Sequence, residues 1–194
     1  NNIVDIDRLL QTITHIAAVF DVNRVGVPLI AVGVKHGNAC GAAVGDDPIE
    51  AIRKMIKGDT RAIFGGVVMV NFPINNREAE EILTYLMPTG ERRLLDGIIA
   101  PSFSENAVNI LGRRGDKCRF FVNPALGSLN RKSLNLASHF RFVRGGFLRQ
   151  PNYTFVLDLN NPRIEKHGNL TPEDEDNFLL AWAIGTTSNS NTIT

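Results

Sequence analysis

The chain has 194 residues, 43% of them hydrophobic and 21% charged, with a formal net charge of +1 at pH 7. That is the balance of a soluble globular protein of one domain or two small halves, with no basic field to attract nucleic acid. No apolar run approaches the ~18 residues of a membrane span, no signal peptide is visible, and two cysteines make neither a disulfide framework nor a paired metal-ligand spacing, so a reducing cytoplasm is expected.

In chain order, Ile6, Leu9, Leu10, Ile13, Ile16, Ala17 and Phe20 recur at helical spacing and predict an amphipathic helix over 3–20. PLIAVGV, residues 28–34, is rich in β-branched residues and predicts a buried strand. DDPIEAIRKMIKGD predicts a helix with Asp47 as N-cap, Pro48 in its first position and Glu50 completing the cap. AIFGGVVMVN, 62–71, predicts a second buried strand interrupted by Gly65 and Gly66. NREAEEILTYLM predicts a helix, GIIAP (97–101) a short strand, SENAVNIL a helix capped by Ser104, and KCRFFV a strand. This alternation predicts a mostly parallel sheet covered by helices, an α/β fold in three layers.

From 131 to 159 the pattern changes. LNLASHFRFVRGGFLRQ and YTFVLDL predict strands without helices between them, an irregular antiparallel portion bent at Gly145 and Gly146. TPEDEDNFLLAWAIG restores a helix, with Thr171 as N-cap and an acidic first turn suited to the helix dipole. The chain starts at Asn1 without a methionine and stops at NTIT, which looks like an unfinished strand; a segment of a longer protein is expected.

One stretch concentrates chemistry. In VKHGNACG, Lys35 and His36 stand at the carboxyl end of the first predicted strand, where open α/β sheets usually bind ligands. Gly37 and Gly41 allow sharp turns and close approach of a ligand to the backbone. Neutral His36 can accept a proton near physiological pH, and Lys35 can stabilise negative charge or protonate a leaving group. The competing reading is a solvated loop with a surface lysine and an uninvolved histidine. Nucleotide-fold fingerprints are absent, for neither GxGxxG after a strand nor GxxxxGK[ST] occurs. The FGG of 64–66 has the simpler reading of a bulge or close backbone packing. A zinc deaminase needs His-x-Glu and Pro-Cys-x-x-Cys. Here Gly37 and Asn38 follow His36, and Cys118 stands alone. Cys40 fits a small buried residue better than a nucleophile, and His15, His139 and His167 have no partners evident from spacing.

Several motifs in order resemble one family. KHGNACGAA resembles the KHANPCGVA segment of AICAR formyltransferase, part of the bifunctional purine-biosynthesis enzyme that also carries IMP cyclohydrolase. NNIVDID resembles that family's NNINDTD, DTRAIFGGVVMVN its DPTSAFGGIIAFN, and DGIIAPSFSENAVNIL its GIIAP stretch and following helix. FRFVRGGFLRQ is similar to its V-x-GG-x-L-x-Q segment. AWAIGTTSNSNTIT is similar to the tryptophan-led helix ending in SNAIV, with equal spacing from Trp182 to Asn191.

The resemblance implies the first of two cytidine-deaminase-like α/β/α halves, spanning 1–194, without the catalytic zinc. It implies transfer of a formyl group from 10-formyltetrahydrofolate, as co-substrate, to the 5-amino group of AICAR, the phosphoribosylaminoimidazolecarboxamide formyltransferase reaction of purine biosynthesis. On the same ground His36 is the proton acceptor and Lys35 stabilises the transition state, while Asp96, Asn191 and the backbone around Gly65 hold AICAR. A homodimeric, cytoplasmic full-length enzyme with sites built at the subunit interface is implied, with no catalytic metal. Four positions depart from the family pattern: Ala39 and Thr60 replace prolines, Ala62 replaces a serine, and Asn189 stands where a lysine often precedes SN. An assembly half-domain without catalysis and a nucleoside deaminase are the competing readings.

Overall fold

A computed structural model describes residues 2–189, Asn2 by its backbone alone; Asn191 and the strand expected at NTIT lie outside them. The elements are α1 (Asn2–Asn23), β1 (Leu29–Lys35), β2 (Asn38–Gly45), α2 (Pro48–Gly58), β3 (Val67–Val70), α3 (Asn76–Thr84), β4 (Gly97–Ala100), α4 (Glu105–Leu111), β5 (Arg119–Val122), β6 (Ser138–Val143), β7 (Gly146–Pro151) and α5 (Pro172–Thr187), with short 3-10 turns at Pro124–Ser128 and Arg131–Ser133. Helix starts follow side-chain chemistry. Asp47 accepts hydrogen bonds from the amides of Ile49 and Glu50, Ser104 from Ala107, and Thr171 from Asp174. Each satisfies amides that the first helical turn leaves unpaired.

One five-stranded sheet has the order β2-β1-β3-β4-β5. β3, β4 and β5 pair in parallel, and β1 is antiparallel to both of its neighbours. Four of the five strands therefore share one direction. Their side chains alternate between two cores, as a period of two requires. Ala31, Val68, Val70, Ile98 and Ala100 face α2, α3 and α4, through Ile52, Met55, Ile56, Ala79, Ile82 and Leu111. Ile30, Val32, Val34, Val67, Met69 and Ile99 face α1 and α5, through Leu9, Ile13, Ile16, Phe20, Leu179 and Ala183. This is the three-layer α/β/α arrangement expected from the sequence.

Several elements differ from expectation. No strand is expected at NACGAAVG, which is small and weakly β-forming, yet β2 forms there and small is what its position demands. A Cβ on Gly41 would come within 1.9 Å of the Met55 carbonyl oxygen, because α2 lies directly against this strand. Gly41 thus admits a helix rather than a ligand. The strand expected over 62–71 starts only at Val67, since 60–65 form turns and Gly65 takes φ +71°. YTFVLDL joins no ladder among the described residues. Its backbone bonds α1 side chains instead: His15 Nε2 lies 3.1 Å from the Tyr153 carbonyl, Asn23 donates to the Leu157 carbonyl at 2.7 Å, and Leu159 N–H donates to Asn23 Oδ1 at 2.7 Å. With this strap over it α1 is buried from Thr12 to Phe20, rather than presenting a polar outer face there.

Substitution at two glycines tests this packing. Gly41→Ala should lower stability by about 1–3 kcal/mol or more, because the atom it strikes is helix backbone. Gly185, inside α5 with nothing within 4 Å of an added Cβ, should gain roughly 0.5–1 kcal/mol as alanine. Thermal unfolding of both variants checks this, and a neutral Gly41→Ala would contradict the β2–α2 contact.

Candidate functional site

The reversal of β1 decides where Lys35 and His36 lie. In register, Val34 faces Val67, Val67 faces Gly97, and Gly97 faces Arg119. The carboxyl end of β1 therefore shares an edge with the amino ends of β2, β3, β4 and β5. The expectation of a carboxyl-end site is corrected in this sense. It holds for β1 alone, because the rule concerns strands running parallel and β1 does not.

β1 and β2 form a hairpin in which Lys35 pairs with Asn38, leaving His36 and Gly37 as a two-residue turn. Both have positive φ, 54° and 79°, the requirement of a type I′ turn. Gly37 adopts this freely. His36, with a Cβ, does so at a cost of about 1–2 kcal/mol. The strain is held by contacts on both sides. The Gly37 N–H donates to Asp5 Oδ1 at 2.7 Å, and the Asn189 N–H donates to Asn38 Oδ1 at 3.3 Å. Arg8, one helical turn from Asp5, donates to the Thr187 carbonyl and to Asn189 Oδ1 (3.3 Å). The start of α1 and the end of α5 thus meet at the turn. The His36 side chain is exposed, and among the described residues none hydrogen-bonds its ring.

Lys35 reaches across to the next turn. Its Nζ donates to the Phe64 carbonyl at 2.5 Å, and it is the atom nearest to the open side of Gly65. Gly65 N–H donates to the Leu94 carbonyl (2.7 Å) and Asp96 N–H to the Gly66 carbonyl (2.9 Å). One continuous chain of bonds thereby joins Lys35, the FGG turn and the segment carrying Asp96. The Asp96 carboxylate pairs with Arg113 at 3.0 Å, and Arg113 also donates to the Leu95 carbonyl at 2.9 Å. With 41% of its side chain exposed, Asp96 keeps acceptor positions open to solvent.

A hollow of about 440 Å³ at this edge is lined by Lys35, His36, Asn38, Ala39, Cys40, Asp59 and Ala62. Two of the four departures, Ala39 and Ala62, face it. Asp59 shapes its floor, accepting from the amides of Ala62 and Arg61 at 2.9 Å each, and these bonds hold its carboxyl below the usual value. The turn after α2 is therefore fixed by an aspartate cap, with Thr60 inside it. Gly65 and Asp96 do not line this hollow and connect to it through Lys35 and Phe64. Asn191 lies outside the described residues, two positions beyond Asn189.

The motifs single out Lys35, His36, Gly65 and Asp96, but not Asp5, Arg8, Asp59 or Arg113. Asp5 sits within NNIVDID, and nothing in its spacing shows that a helix start would meet a hairpin turn 32 residues on. His15 is structural: its ring lies between the carbonyls of Gln11 and Tyr153. His167 lies on the surface, 3.7 Å from Glu165. Among the described residues no group of three or more His, Cys, Asp or Glu stands close enough to hold a metal ion.

Against known families, the whole chain, residues 1–194, matches the model of the AICARFT/IMPCHase bienzyme. The chain belongs to that family. Among its AICARFT/IMPCHase relatives, the bifunctional purine biosynthesis protein PurH of Prochlorococcus marinus strain NATL2A is 30% identical over 202 residues, covering 100% of this chain and 35% of its own length. PurH of Listeria welshimeri is 34% identical over 193 residues, again covering 100% of this chain and 33% of its own. PurH of Thermotoga maritima is 35% identical over 106 residues, 51% of this chain and 22% of its own. The chain spans about a third of the length of the relatives it matches over its full extent.

Both cysteines are free, and burial pushes each thiol up to about 11. Cys40, though it lines the hollow, donates to the Gly33 carbonyl and stays protonated. Neither should alkylate at an appreciable rate at pH 7.5 in the folded protein, and both should after denaturation. Linkage fixes the sign with pH. The folded values lie above the ordinary 9.0, so the thiols' contribution is intact below pH 9 and is lost as pH rises towards 11. Rapid labelling of Cys40 in native protein would contradict its raised pKa and its bond to the Gly33 carbonyl.

Proposed function

We propose that this chain carries the formyl-transfer chemistry of its family, moving a formyl group from 10-formyltetrahydrofolate to the 5-amino group of AICAR in purine biosynthesis. What carries the reading is the family match over the whole chain, taken with a Lys-His pair on a strained turn bonded to the FGG and Asp96 segments.

The 5-amino group is a weak nucleophile because its lone pair is delocalised into the imidazole carboxamide. His36 takes the amine proton as the nitrogen attacks the formyl carbon, so that positive charge does not accumulate on nitrogen. A C–N bond forms, and the carbonyl π pair moves to oxygen. Lys35 stabilises that oxygen's charge and, as the oxygen's pair re-forms the carbonyl and the bond from the formyl carbon to N10 of the folate breaks, supplies the proton that N10 takes. Lys35 suits this because one Nζ hydrogen is committed to the Phe64 carbonyl while, among the described residues, two others remain to donate.

In this reading the open side of Gly65 and the solvent-facing part of the Asp96 carboxylate receive AICAR, as does Asn191. The chain supplies the first of the two cytidine-deaminase-like halves of the transformylase region. The intact protein is a cytoplasmic homodimer with sites at the subunit interface.

Turnover of the intact gene product tests the assignment. His36→Ala should cut kcat for formyl transfer by ~10²- to 10⁴-fold while the AICAR KM changes little, the signature of a group acting in the transition state. Lys35→Ala should fall comparably, and Lys35→Arg should recover only part, because a guanidinium does not give up its proton at neutral pH. Asp96→Ala should instead raise the AICAR KM, its loss leaving ligand donors unpaired. A loss below tenfold for His36→Ala would favour a non-catalytic half-domain.

A further inference from the structure

We infer that Asp5 is the positioning residue of His36, acting through the Gly37 amide. The inference rests on the proposed role of His36 and adds a residue to it.

In a two-residue hairpin the ladder bonds run between the flanking residues, here Lys35 and Asn38, and the amides within the turn are left out of it. Gly37 is buried, so its N–H must find a protein acceptor. Asp5 Oδ1 is that acceptor, at 2.7 Å, from a residue only 8% exposed. The bond is charge-assisted and joins two rigid elements, the first turn of α1 and the end of a buried strand. Among the described residues the Gly37 N–H is the donor to the Asp5 carboxylate, and no bond or ion pair links that carboxylate to the His36 ring. It therefore does not act by polarising the imidazole. It fixes the backbone from which the ring projects, at a φ of 54° that a histidine without restraint would leave. Arg8, on the same face of α1, holds the end of α5 through Thr187 and Asn189. The first turns of α1 thus act as a clamp with two jaws, and Asp5 is the jaw on the histidine.

The test uses formyl transfer by the intact gene product, with single and double variants. Asp5→Ala should lower kcat by about tenfold or more through misplacement of the ring, with little change in the AICAR KM. Asp5→Asn, whose amide oxygen can still accept from Gly37, should recover most of that loss. The deciding readout is coupling. In a His36→Ala background, Asp5→Ala should cost nothing further, because the geometry it maintains no longer matters. An equal loss in both backgrounds, or a kcat for Asp5→Ala within twofold of wild type, would overturn the positioning role. If Asp5→Ala does not fold, Asp5→Glu keeps the charge and moves the oxygen by one methylene. The same loss, vanishing in the His36→Ala background, is then expected. Should His36→Ala itself prove harmless, the proposed reaction role of His36 falls. A crippled His36→Ala beside an active Asp5→Ala removes the positioning role alone.

Discussion

β1 runs against the four other strands of its sheet, and the arrangement of the site follows from that reversal. A two-residue turn can join only antiparallel neighbours, so the short β1–β2 connection forces the direction of β1 relative to β2. Because β1 is also antiparallel to β3, its carboxyl end meets the amino ends of the parallel strands. The tip that carries His36, the turn that carries Gly65 and the segment that carries Asp96 then fall along one edge. Burial of β1 on both faces, from Ile30 to Val34, makes this a stiff support. A mobile loop could not hold a non-glycine residue at positive φ so well.

The electrostatics of that edge divide its charged groups into two sets. Asp5 is committed to the Gly37 amide, Asp59 to the amides of Arg61 and Ala62, and Asp96 is shared with Arg113. Each carboxylate fixes a turn or a segment. Among the described residues Lys35 has a single carbonyl partner and the His36 ring has none. The groups able to exchange a proton are those left to face a ligand. For the proposed formyl transfer, this partition would hold Lys35 and His36 firmly without neutralising them.

Much of this was legible in the sequence where local chemistry decides structure. The caps at Asp47, Ser104 and Thr171 mark helix starts through side-chain oxygens that act within three residues. The β-branched run before Lys35 marks a buried strand for the same local reason. Legibility failed where a distant partner decides. NACGAAVG forms a strand because the α2 backbone leaves room only for small residues, and no propensity encodes that neighbour. YTFVLDL has strand-like composition, but His15 and Asn23 take its backbone bonds, from more than a hundred residues away. The same limit hid Asp5 and Arg113. Lys35 and His36 stood out by residue type alone, whereas Asp5 on the Gly37 amide and Arg113 on Asp96 are brought into place only by the fold.

Amide chemical shifts of the isotopically labelled protein during titration with AICAR test the central claim most directly, that the ligand-binding edge is the one created by the reversed first strand. The account predicts that perturbations cluster at Gly37, Asn38, Gly65 and Asp96. The opposite edge, at Gly26, Gly45 and Ser102, should stay unchanged. Perturbations concentrated at Gly26, Gly45 and Ser102, with Gly37 and Gly65 unmoved, would contradict it.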